Sequence, residues 1–499
     1  MWCNSSSARL KVSKSSECNF AGRLVRRLGE DSHLIDAATG QTFRSRDVAG
    51  SIVGFAAGFL SVGLQAGDRV LISCGLNPAS ALAYLGAMYG GLVPVPVEDR
   101  ALATFGELLS AKAHAKAVWI AKGVRCDWAE RNGVPHVEGN FDARPAHSLR
   151  PAPCAEDDLA ALMPTSGSTG VPRLAMVSHG NLIANTEAIV RSQHLGMDER
   201  AMLIMPVSYC FGASVMHTHL CQGGGVVFDS RFMFPDKVLH AINTYGCTTF
   251  AGVPTVYSIL LRRSNLRSIP LPGLRRFLQA GGALAPERVQ EMRDIAPKAE
   301  FFVMYGQTEA TARISCLPPD RLGEKLGSAG LPLDNLVVRI ADDEGRELPK
   351  GQIGEIQVRG PSVCSGYLDD PEATEQKFCD GWLKTGDLAC RDDEGYLWIK
   401  GRMGEFIKIR GLRVSFAEVE AKVGAIPGIQ ECAATAVPHP EAGEALALFV
   451  VADSGVNGVV ERVWHELPPQ WTCTSVNVVA ELPKTANGKI ARFQLQTMT

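Results

Sequence analysis

The sequence predicts an α/β fold built mainly from βα units. Three observations support this fold class: short β-rich runs alternate with helical segments rich in Ala and Leu, the pattern changes to short strands and turns from about residue 325, and a compact tail follows residue 404. Such alternation is typical of a largely parallel sheet covered on both faces by helices. The 499 residues, 46% of them apolar, can bury several cores, so we expect about three units, or one large body with a smaller partner.

The predicted elements follow one another along the chain. The N-terminal β-rich runs are RVLISCG (69 to 75), AVWIAKG (117 to 123) and AMLIMPV (201 to 207). The segment NPASALAYLGAMYGG, which follows the first run, has helical periodicity. Beyond residue 325, NLVVRIADDEGRELPKGQIGEIQVRG predicts two strands joined by a DDEG turn. The tail predicts a small α+β unit, with a helix at FAEVEAKVGAI and strands at ECAATAVPH and ALALFVV.

Composition argues against several classes of protein. Lys and Arg total 50 against 53 acidic residues and form no basic block, so we expect no nucleic-acid partner. The 14 cysteines are scattered without a CxxC pair, which is typical of reduced thiols and predicts a cytoplasmic protein. The basic, Ser-rich start lacks a hydrophobic run of signal-peptide length, and no stretch of the chain predicts a membrane span.

The stretch PTSGSTGVPR (164 to 173) predicts a loop that holds phosphate. A Gly/Ser/Thr loop between a strand and a helix presents backbone N–H groups and hydroxyls toward one point, where they form a nest for an anion. The spacing differs from that of the common NTPase loop, GxxxxGK[ST], and TANGKI (485 to 490) does not fit that pattern either. A merely flexible surface loop is the alternative for the stretch taken by itself.

Five motifs occur in one order along nearly the whole chain. They are TSGSTGVPR with SHGNL, YGQTEAT (305 to 311), GWLKTGDLA (381 to 389), GRMGEFIKIRGLRVSFAEVE (401 to 420) and PKTANGKI (483 to 490). In this order and spacing the sequence resembles the adenylate-forming superfamily, which contains the AMP-forming acyl-CoA synthetases, firefly luciferase and nonribosomal adenylation domains. The resemblance implies an N-terminal domain (1–402) of layered sheets with a distorted β-barrel, and a small mobile C-terminal lid (403–499). Gly404 stands at the hinge, where the family usually has Asp or Lys.

The resemblance also implies an ATP site. An acyl adenylate forms when a carboxylate attacks the α-phosphate of ATP and pyrophosphate leaves, so cations and oriented N–H groups must surround the phosphates. Glu309 would ligate Mg²⁺ and Thr308 would touch phosphate; a solvated turn acid is the alternative for Glu309. The residues implied to wrap the β- and γ-phosphates are Thr165, Ser166, Gly167, Ser168, Thr169 and Gly170.

The nucleoside would contact three further places. Tyr305, followed by Gly306, offers a flat face for adenine, and the backbone of Gly281, Gly282 and Ala283 offers polar edges that glycine leaves accessible. Asp387 would accept hydrogen bonds from the ribose diol, and Arg402 could donate to the same hydroxyls. Core packing is the alternative for Tyr305, and an ordinary turn is the alternative for Asp387.

Two cations complete the implied catalytic set. Lys489 lies on a C-terminal NGK turn, from which a mobile charge could reach the substrate carboxylate and the α-phosphate; a surface lysine is the alternative. In the loop motif the family usually has Pro-Lys-Gly, where this chain has Pro172, Arg173 and Leu174. Arg173 keeps the positive charge but replaces a compact ammonium by a planar fork.

The substrate is expected to be a carboxylic acid without an α-amino group. Amino-acid-activating relatives carry an Asp in a stretch like SYxFDxSV, whereas this chain reads SYCFGASV (208 to 215). A buried ammonium without a carboxylate partner would be strongly disfavoured. The side chains expected to line an apolar tunnel for a fatty, short-chain or aryl acid, with core packing as the alternative for each, are Tyr209, Phe211, Gly212, Val253 and Tyr257.

We therefore expect an AMP-forming acid-thiol ligase that uses ATP, Mg²⁺ and CoA. A free-standing acyl carrier protein, with its phosphopantetheine arm as the thiol, is an alternative acceptor. A nucleotide-binding homologue that has lost its chemistry is an alternative from a different class, suggested by Arg173, Leu174 and Gly404. Retention of Glu309 and Lys489 argues against it.

Overall fold

A parallel sheet opens the chain in the computed structural model, which describes residues 14–121, 123–138, 149–165, 172–403, 406–409, 412–453, 458–484, 490–495 and 498. The elements of residues 14–138 are α1 (Phe20–Arg27), β1 (Leu34–Asp36), β2 (Thr42–Phe43), α2 (Ser45–Ser61), β3 (Arg69–Ser73), α3 (Pro78–Tyr89), β4 (Val93–Val97), α4 (Asp99–Ala113), β5 (Ala117–Ile120), α5 (Asp127–Arg131) and β6 (His136–Glu138). Strands β4, β3, β5 and β6 pair in that order, all parallel. The βα units predicted around residues 69 and 117 are present.

The next part of the chain continues the alternation of strands and helices. Its elements are β7 (Leu159–Thr165), β8 (Arg173–Ser178), α6 (His179–Gln193), β9 (Arg200–Leu203), α7 (Cys210–Cys221), β10 (Gly225–Phe228), α8 (Pro235–Thr244), β11 (Thr249–Gly252), α9 (Pro254–Arg263), β12 (Arg276–Gln279), α10 (Pro286–Ile295) and β13 (Glu300–Tyr305). Strands β7 and β8 form an antiparallel pair. The helix α6 begins with a capping box at Ser178, whose hydroxyl accepts from Asn181 N at 3.1 Å.

Short antiparallel strands follow, as predicted for the region beyond residue 325. The elements are a 3-10 turn (Thr308–Ala310), β14 (Ser315–Leu317), a second 3-10 turn (Pro319–Arg321), β15 (Leu331–Pro332), β16 (Val337–Ala341), β17 (Gly354–Arg359), α11 (Pro371–Lys377), β18 (Phe378–Cys379), β19 (Trp382–Arg391) and β20 (Leu397–Arg402). Strands β16, β17, β19 and β18 pair in that order, and β20 also pairs with β19. This part of the N-terminal domain is thus a five-stranded antiparallel sheet.

The largest sheet has nine strands in the order β15-β14-β13-β12-β11-β9-β10-β1-β2. Its centre is parallel, and its two ends are antiparallel. Helices α6 and α7 lie over one face of this sheet and share a core with the four-stranded sheet through Phe20, Tyr84 and Met216. A second core, which contains Phe250, Tyr257 and Phe277, covers the opposite face. The carboxyl ends of the parallel strands therefore meet at one edge, where a site is expected.

The C-terminal part has a core of its own. Its elements are β21 (Phe406–Ile409), β22 (Leu412–Ser415), α12 (Phe416–Gly424), β23 (Ile429–His439), β24 (Gly443–Ala452), α13 (Val459–Glu466), β25 (Cys473–Val478) and α14 (Arg492–Leu495). The side chains of Val419, Leu446 and Val463 are buried within it. The predicted α/β class, with a large N-terminal domain and a small α+β C-terminal domain, is confirmed. The boundary between residues 402 and 403 stays a prediction. None of the described helices combines the length and apolar character needed to cross a bilayer.

Candidate active site

Tyr305, Asp387 and Arg402 meet at the carboxyl edge of the large sheet. Tyr305 ends β13, and Asp387 on β19 lies directly across from Arg402 on β20. The Tyr305 hydroxyl donates to Asp387 Oδ2 at 2.6 Å, and Arg402 Nε lies 3.6 Å from Asp387 Oδ1. The packing around the phenol, reinforced by the Asp387 charge, raises the pKa of Tyr305 well above its usual range, so the hydroxyl remains a donor. Three residues predicted from separate motifs thus form one contact set.

The backbone of Asp387 is fixed by hydrogen bonds through Thr385, two residues earlier on the same strand. Its backbone N–H donates to Thr385 Oγ1 at 3.1 Å, and Thr385 Oγ1 donates to Ile356 O at 2.7 Å. Lys377 Nζ donates to Thr385 O at 2.8 Å. Burial lowers the pKa of Lys377, while the charges of Glu309 and Asp387 act in the opposite direction. Lys377 is therefore a cation close to both acids, and the sequence analysis did not single it out.

Glu309 lies in the 3-10 turn that follows β13, and its exposed fraction is only 9%. The Tyr367 hydroxyl donates to Glu309 Oε1 at 2.6 Å, whereas no hydrogen bond from the described residues reaches Oε2. Burial of the ring and the Glu309 charge both raise the pKa of Tyr367, which keeps the phenol protonated. One carboxylate oxygen is thus oriented by the protein and the other is left for a ligand. Thr308 Oγ1 donates to Cys210 Sγ at 3.4 Å.

Arg173 is already held by the protein. Its Nε lies 3.0 Å from Asp370 Oδ2, and its guanidinium carbon lies 5.5 Å from the centre of the Tyr367 ring. The neighbouring Leu174 is buried and accepts a backbone hydrogen bond from Leu368 N at 2.9 Å. The residue that replaces the usual glycine therefore packs into a core, and Arg173 connects the end of the phosphate loop to the tyrosine that orients Glu309.

Positions 281 and 306 are glycine for different structural reasons. Gly281 has φ +86°, and a Cβ there would lie 2.6 Å from the Tyr209 hydroxyl and 3.1 Å from Val253 Cγ1. The chain therefore bends closely around Tyr209 at the edge predicted for the nucleoside. Next to it, Gly282 and Ala283 are exposed. At Gly306 a Cβ would lie 1.8 Å from Ala312 O, so glycine is required there by backbone packing.

The predicted acid tunnel is only partly assembled from the residues that were expected to line it. The rings of Tyr209 and Phe211 meet edge to face at 6.4 Å. Gly212 faces the preceding backbone, because a Cβ there would lie 2.4 Å from Pro206 O; packing alone thus explains this glycine. Tyr257 is fully buried in the aromatic core, and its hydroxyl donates to Leu278 O at 2.9 Å. Core packing, the alternative, accounts for Tyr257.

Several predicted site residues lie outside the described residues. These are Ser166, Gly167, Ser168, Thr169, Gly170, Gly404 and Lys489. The residues that flank the segment predicted to bind phosphate are described: Thr165 at the end of β7 pairs directly with Arg173 at the start of β8.

Sequence reasoning missed three residues beside the site, Tyr367, Lys377 and Arg313. Tyr367 stands in the stretch SGYLDD, where a buried aromatic next to an acidic turn was the available signal. Arg313 lies between Ala312 and Ile314, so a charged residue within a short apolar run after YGQTEAT was its signal. Lys377 had no distinguishing signal in the sequence.

This fold and this grouping of Tyr305, Asp387 and Glu309 define an adenylate-forming enzyme. The chain belongs to the AMP-binding enzyme family: the model of that family matches residues 23–368, and the model of the AMP-binding enzyme C-terminal domain matches residues 418–489. The resemblance inferred from the five motifs is confirmed, and so is the expected class, an AMP-forming acid-thiol ligase.

Similar proteins span nearly the same length as this chain. A feruloyl-CoA synthase of Amycolatopsis sp. is 34% identical over 490 residues, which cover 95% of this chain and 97% of that protein. The 4-coumarate-CoA ligase-like 4 of Oryza sativa subsp. japonica is 31% identical, with 93% and 89% covered. The structure of ATP-bound MatB from Rhodopseudomonas palustris superposes with a TM-score of 0.87 at 27% identity, covering 96% of this chain and 98% of that one.

Proposed function

We propose that this enzyme converts a carboxylic acid and ATP into an acyl adenylate with release of pyrophosphate, and then transfers the acyl group to CoA. The observation that carries the proposal is the fixed Asp387 carboxylate, held by Tyr305 at 2.6 Å and faced by Arg402. A carboxylate oriented in this way beside a flat aromatic ring suits a nucleoside. The carboxylate can accept hydrogen bonds from the ribose diol, and the ring can stack against the base. The names of the similar CoA ligases support the same reaction.

The nucleoside would occupy the edge formed by β13 and the bend at Gly281. Asp387 would accept from the ribose hydroxyls, with Arg402 donating to them, while the Tyr305 ring would lie against adenine. The close approach at Gly281, where a Cβ would contact Tyr209 at 2.6 Å, supports a backbone edge for the base over Gly281, Gly282 and Ala283.

Glu309 is a suitable ligand for Mg²⁺ because it presents a hard carboxylate oxygen that no described residue engages. When bound, the metal ion would supply positive charge to the phosphates of ATP. In this proposal Tyr367 fixes the Glu309 carboxylate and Thr308 contacts phosphate. Thr165, Arg173 and the loop between them lie around the β- and γ-phosphates, and Lys489 is brought to the reacting atoms by the C-terminal domain, with Gly404 as its hinge.

The acid would lie on the Tyr209 and Phe211 side of the nucleotide. We propose an acid without an α-amino group, of the fatty, short-chain or aryl class; the feruloyl and coumarate names of similar proteins favour an aryl acid. Transfer to an acyl carrier protein remains an alternative for the second step. The ordered Tyr305, Asp387 and Glu309 side chains argue against a nucleotide-binding protein without catalysis. We place the reaction in the cytoplasm on the evidence of the scattered cysteines.

The proposal is tested by pyrophosphate release over a panel of fatty, short-chain, aryl and α-amino acids, with CoA, a carrier protein or no thiol present. We expect release with carboxylic acids, no release with α-amino acids, and a CoA thioester detectable by mass spectrometry. Exchange with an α-amino acid would contradict the assigned acid class. A carrier-bound product without a CoA thioester would change the acceptor, and no release with any acid would refute the proposed function.

A further inference from the structure

Arg313 is a buried cation without an acidic partner among the described residues. Its exposed fraction is 2%. The titratable groups that act on its charge are Cys316, Cys210 and Tyr209, two thiols and a phenol, which ordinarily carry no charge at neutral pH. Burial lowers the pKa of Arg313 to about 10, and this value still leaves the guanidinium protonated at neutral pH.

The contacts of the Arg313 side chain do not neutralise it. Its guanidinium donates to Met304 Sδ, a weak acceptor, and its central carbon lies 5.0 Å from the centre of the Phe211 ring. The other buried arginine of the described residues, Arg276, differs in that it forms an ion pair with Glu199. An uncompensated buried charge destabilises a fold strongly, so a site that keeps one calls for a functional explanation.

The position of Arg313 is fixed by its backbone. Asn185 Nδ2 donates to Arg313 O at 2.9 Å, and Arg313 N donates to Asn185 Oδ1 at 3.2 Å. The next residue, Ile314, donates its N–H to Tyr305 O at 2.8 Å. These bonds hold the segment beside the end of β13, next to the proposed adenine face. The backbone of Arg313 is thus held by these bonds, and its guanidinium is held by Met304 and the Phe211 ring, before any ligand binds.

The side chain lies next to the aromatic rings proposed to contact the acid. The Tyr209 and Phe211 rings are 6.4 Å apart, and the guanidinium carbon of Arg313 lies 5.0 Å from the centre of the Phe211 ring. Gly281 approaches the Tyr209 hydroxyl so closely that a Cβ there would lie 2.6 Å from it. An acid whose reacting carboxylate faces Glu309 and Thr308 would thus point its far end toward Arg313. A guanidinium pairs with a second carboxylate through parallel hydrogen bonds, and it gains most from this pairing in a dry site.

We propose that Arg313 binds a second carboxylate of the substrate, so that the enzyme prefers a short-chain or aryl dicarboxylic acid to a monocarboxylic acid of the same length. This inference rests on the proposed acid-activating function and narrows its substrate class. In this arrangement Phe211 and Tyr209 contact the apolar middle of the acid, and the charge of Arg313 selects its far end.

The first test uses the unmodified enzyme and matched pairs of substrates. Each pair is a dicarboxylic acid, from succinate to adipate or one of the benzene dicarboxylates, and its monomethyl ester, which has nearly the same shape but lacks the second charge. We expect kcat/KM for pyrophosphate release to be about 10²-fold higher for the preferred diacid than for its ester, because the ester leaves the buried cation unpaired. Equal rates, or a preference for the ester in every pair, would overturn the proposal.

The second test removes the charge. Arg313→Met should reduce the preference for the diacid to within about threefold by accelerating the ester and slowing the diacid. Its unfolding midpoint should not fall, because the substitution removes an unpaired buried cation, and such a charge destabilises the folded state. Arg313→Lys should retain part of the preference. The matched control is Arg339→Met, since Arg339 also lies over an aromatic ring, 4.1 Å from the centre of Trp382, but on β16 away from the site; it should leave the ratio unchanged.

The results of these tests distinguish a failure of the role of Arg313 from a failure of the proposed acid-activating function. Release with monocarboxylic acids but with none of the diacids would overturn the role of Arg313 and leave the acid-activating function standing. A folded Arg313→Met enzyme that keeps the wild-type preference would also overturn it. If Arg313→Met does not fold, the ratio for the unmodified enzyme decides alone. No release with any acid would remove both proposals together.

Discussion

The proposed site has a nucleotide end, where the charged groups have partners, and an acid end, where the charged group has none among the described residues. At the nucleotide end each acidic group has a partner within the chain: Tyr305 donates to Asp387 at 2.6 Å, and Tyr367 donates to Glu309 at 2.6 Å. At the acid end Arg313 is more deeply buried than either acid and has no counter-charge among the described residues. Paired groups hold a fixed geometry, whereas an unpaired buried charge gains its partner from a ligand.

This difference indicates which function each end serves. The nucleotide end must present the same geometry to ATP in every reaction cycle, so its carboxylates are oriented by phenols with raised pKa values that stay protonated. The acid end selects the acid. A single charge in an apolar setting gives a strong preference for an acid that carries the opposite charge at that position. Substitutions at the two ends should therefore affect different kinetic parameters.

The largest effect is expected at Lys489, which the resemblance to the family assigns to the reacting carboxylate and α-phosphate. Lys489→Ala should slow adenylation about 10²- to 10³-fold, because a charge-assisted contact to the transition state is lost. The same variant should still convert synthetic acyl-AMP and CoA into thioester, because the second step uses a different face of the C-terminal domain. Both rates are measured on one preparation, by pyrophosphate release and by thioester formation.

A nearby lysine provides the control for this variant. Lys484 forms an ion pair with Glu431 at 2.7 Å, so Lys484→Ala should leave both rates near those of the wild type. Adenylation at wild-type speed in Lys489→Ala would make that residue an ordinary surface lysine. Loss of both half-reactions in a folded protein would contradict the two-position mechanism.

A smaller effect is expected at Asp387. Asp387→Asn keeps the shape but removes the charge, so kcat/KM for ATP should fall about 10- to 100-fold, the range for a hydrogen bond to a charged group. The ratio of diacid to ester rates should not change, because Arg313 is untouched. Asp393→Asn, on the exposed turn between β19 and β20, is the control. A change in the ratio of diacid to ester rates in Asp387→Asn would contradict the conclusion that the two ends act independently.

The smallest effect is expected at Tyr367. Tyr367→Phe removes the hydrogen bond to Glu309 and keeps the ring beneath Arg173, so kcat should fall about tenfold and the Mg²⁺ concentration needed for half-maximal rate should rise. Tyr396→Phe is the control, since Tyr396 is similarly buried, 4% exposed against 5% for Tyr367, and has no contact with Glu309. A normal Mg²⁺ dependence in Tyr367→Phe would show that Glu309 is oriented by other groups.

Much of the fold could be predicted because strands and helices leave local patterns. The runs beginning at residues 69 and 117 start where β3 and β5 start. The ends were less predictable: AMLIMPV extends to residue 207, but β9 ends at Leu203, since it pairs with β10 over only four residues. The length of a strand depends on the length of the strands that pair with it, and the topology of the sheet decides which strands these are.

The site was predictable where a motif carried it, and less so where distant residues meet. Tyr305 and Glu309 were identified from YGQTEAT, but the tyrosine that orients Glu309 lies 58 residues further along the chain. The role of Arg313 depends on its burial against Asn185, 128 residues earlier. Tyr257 shows the opposite error, because an aromatic residue near a site has the same sequence signature in a core as in a pocket.

The pairing of β8 with residues 366–368 has a consequence for synthesis of the chain. Leu174 O accepts from Leu368 N, and Arg173 pairs with Asp370 across 197 residues of sequence. Strand β8 therefore completes its pairing only after residue 370 has left the ribosome, when about three quarters of the 499 residues have been made. During that interval the outer edge of β8 is without its partner, and an unpaired strand edge is prone to wrong pairing. Shortening this delay, for instance by moving the chain ends close to residue 370, would be a direct way to improve the yield of folded enzyme.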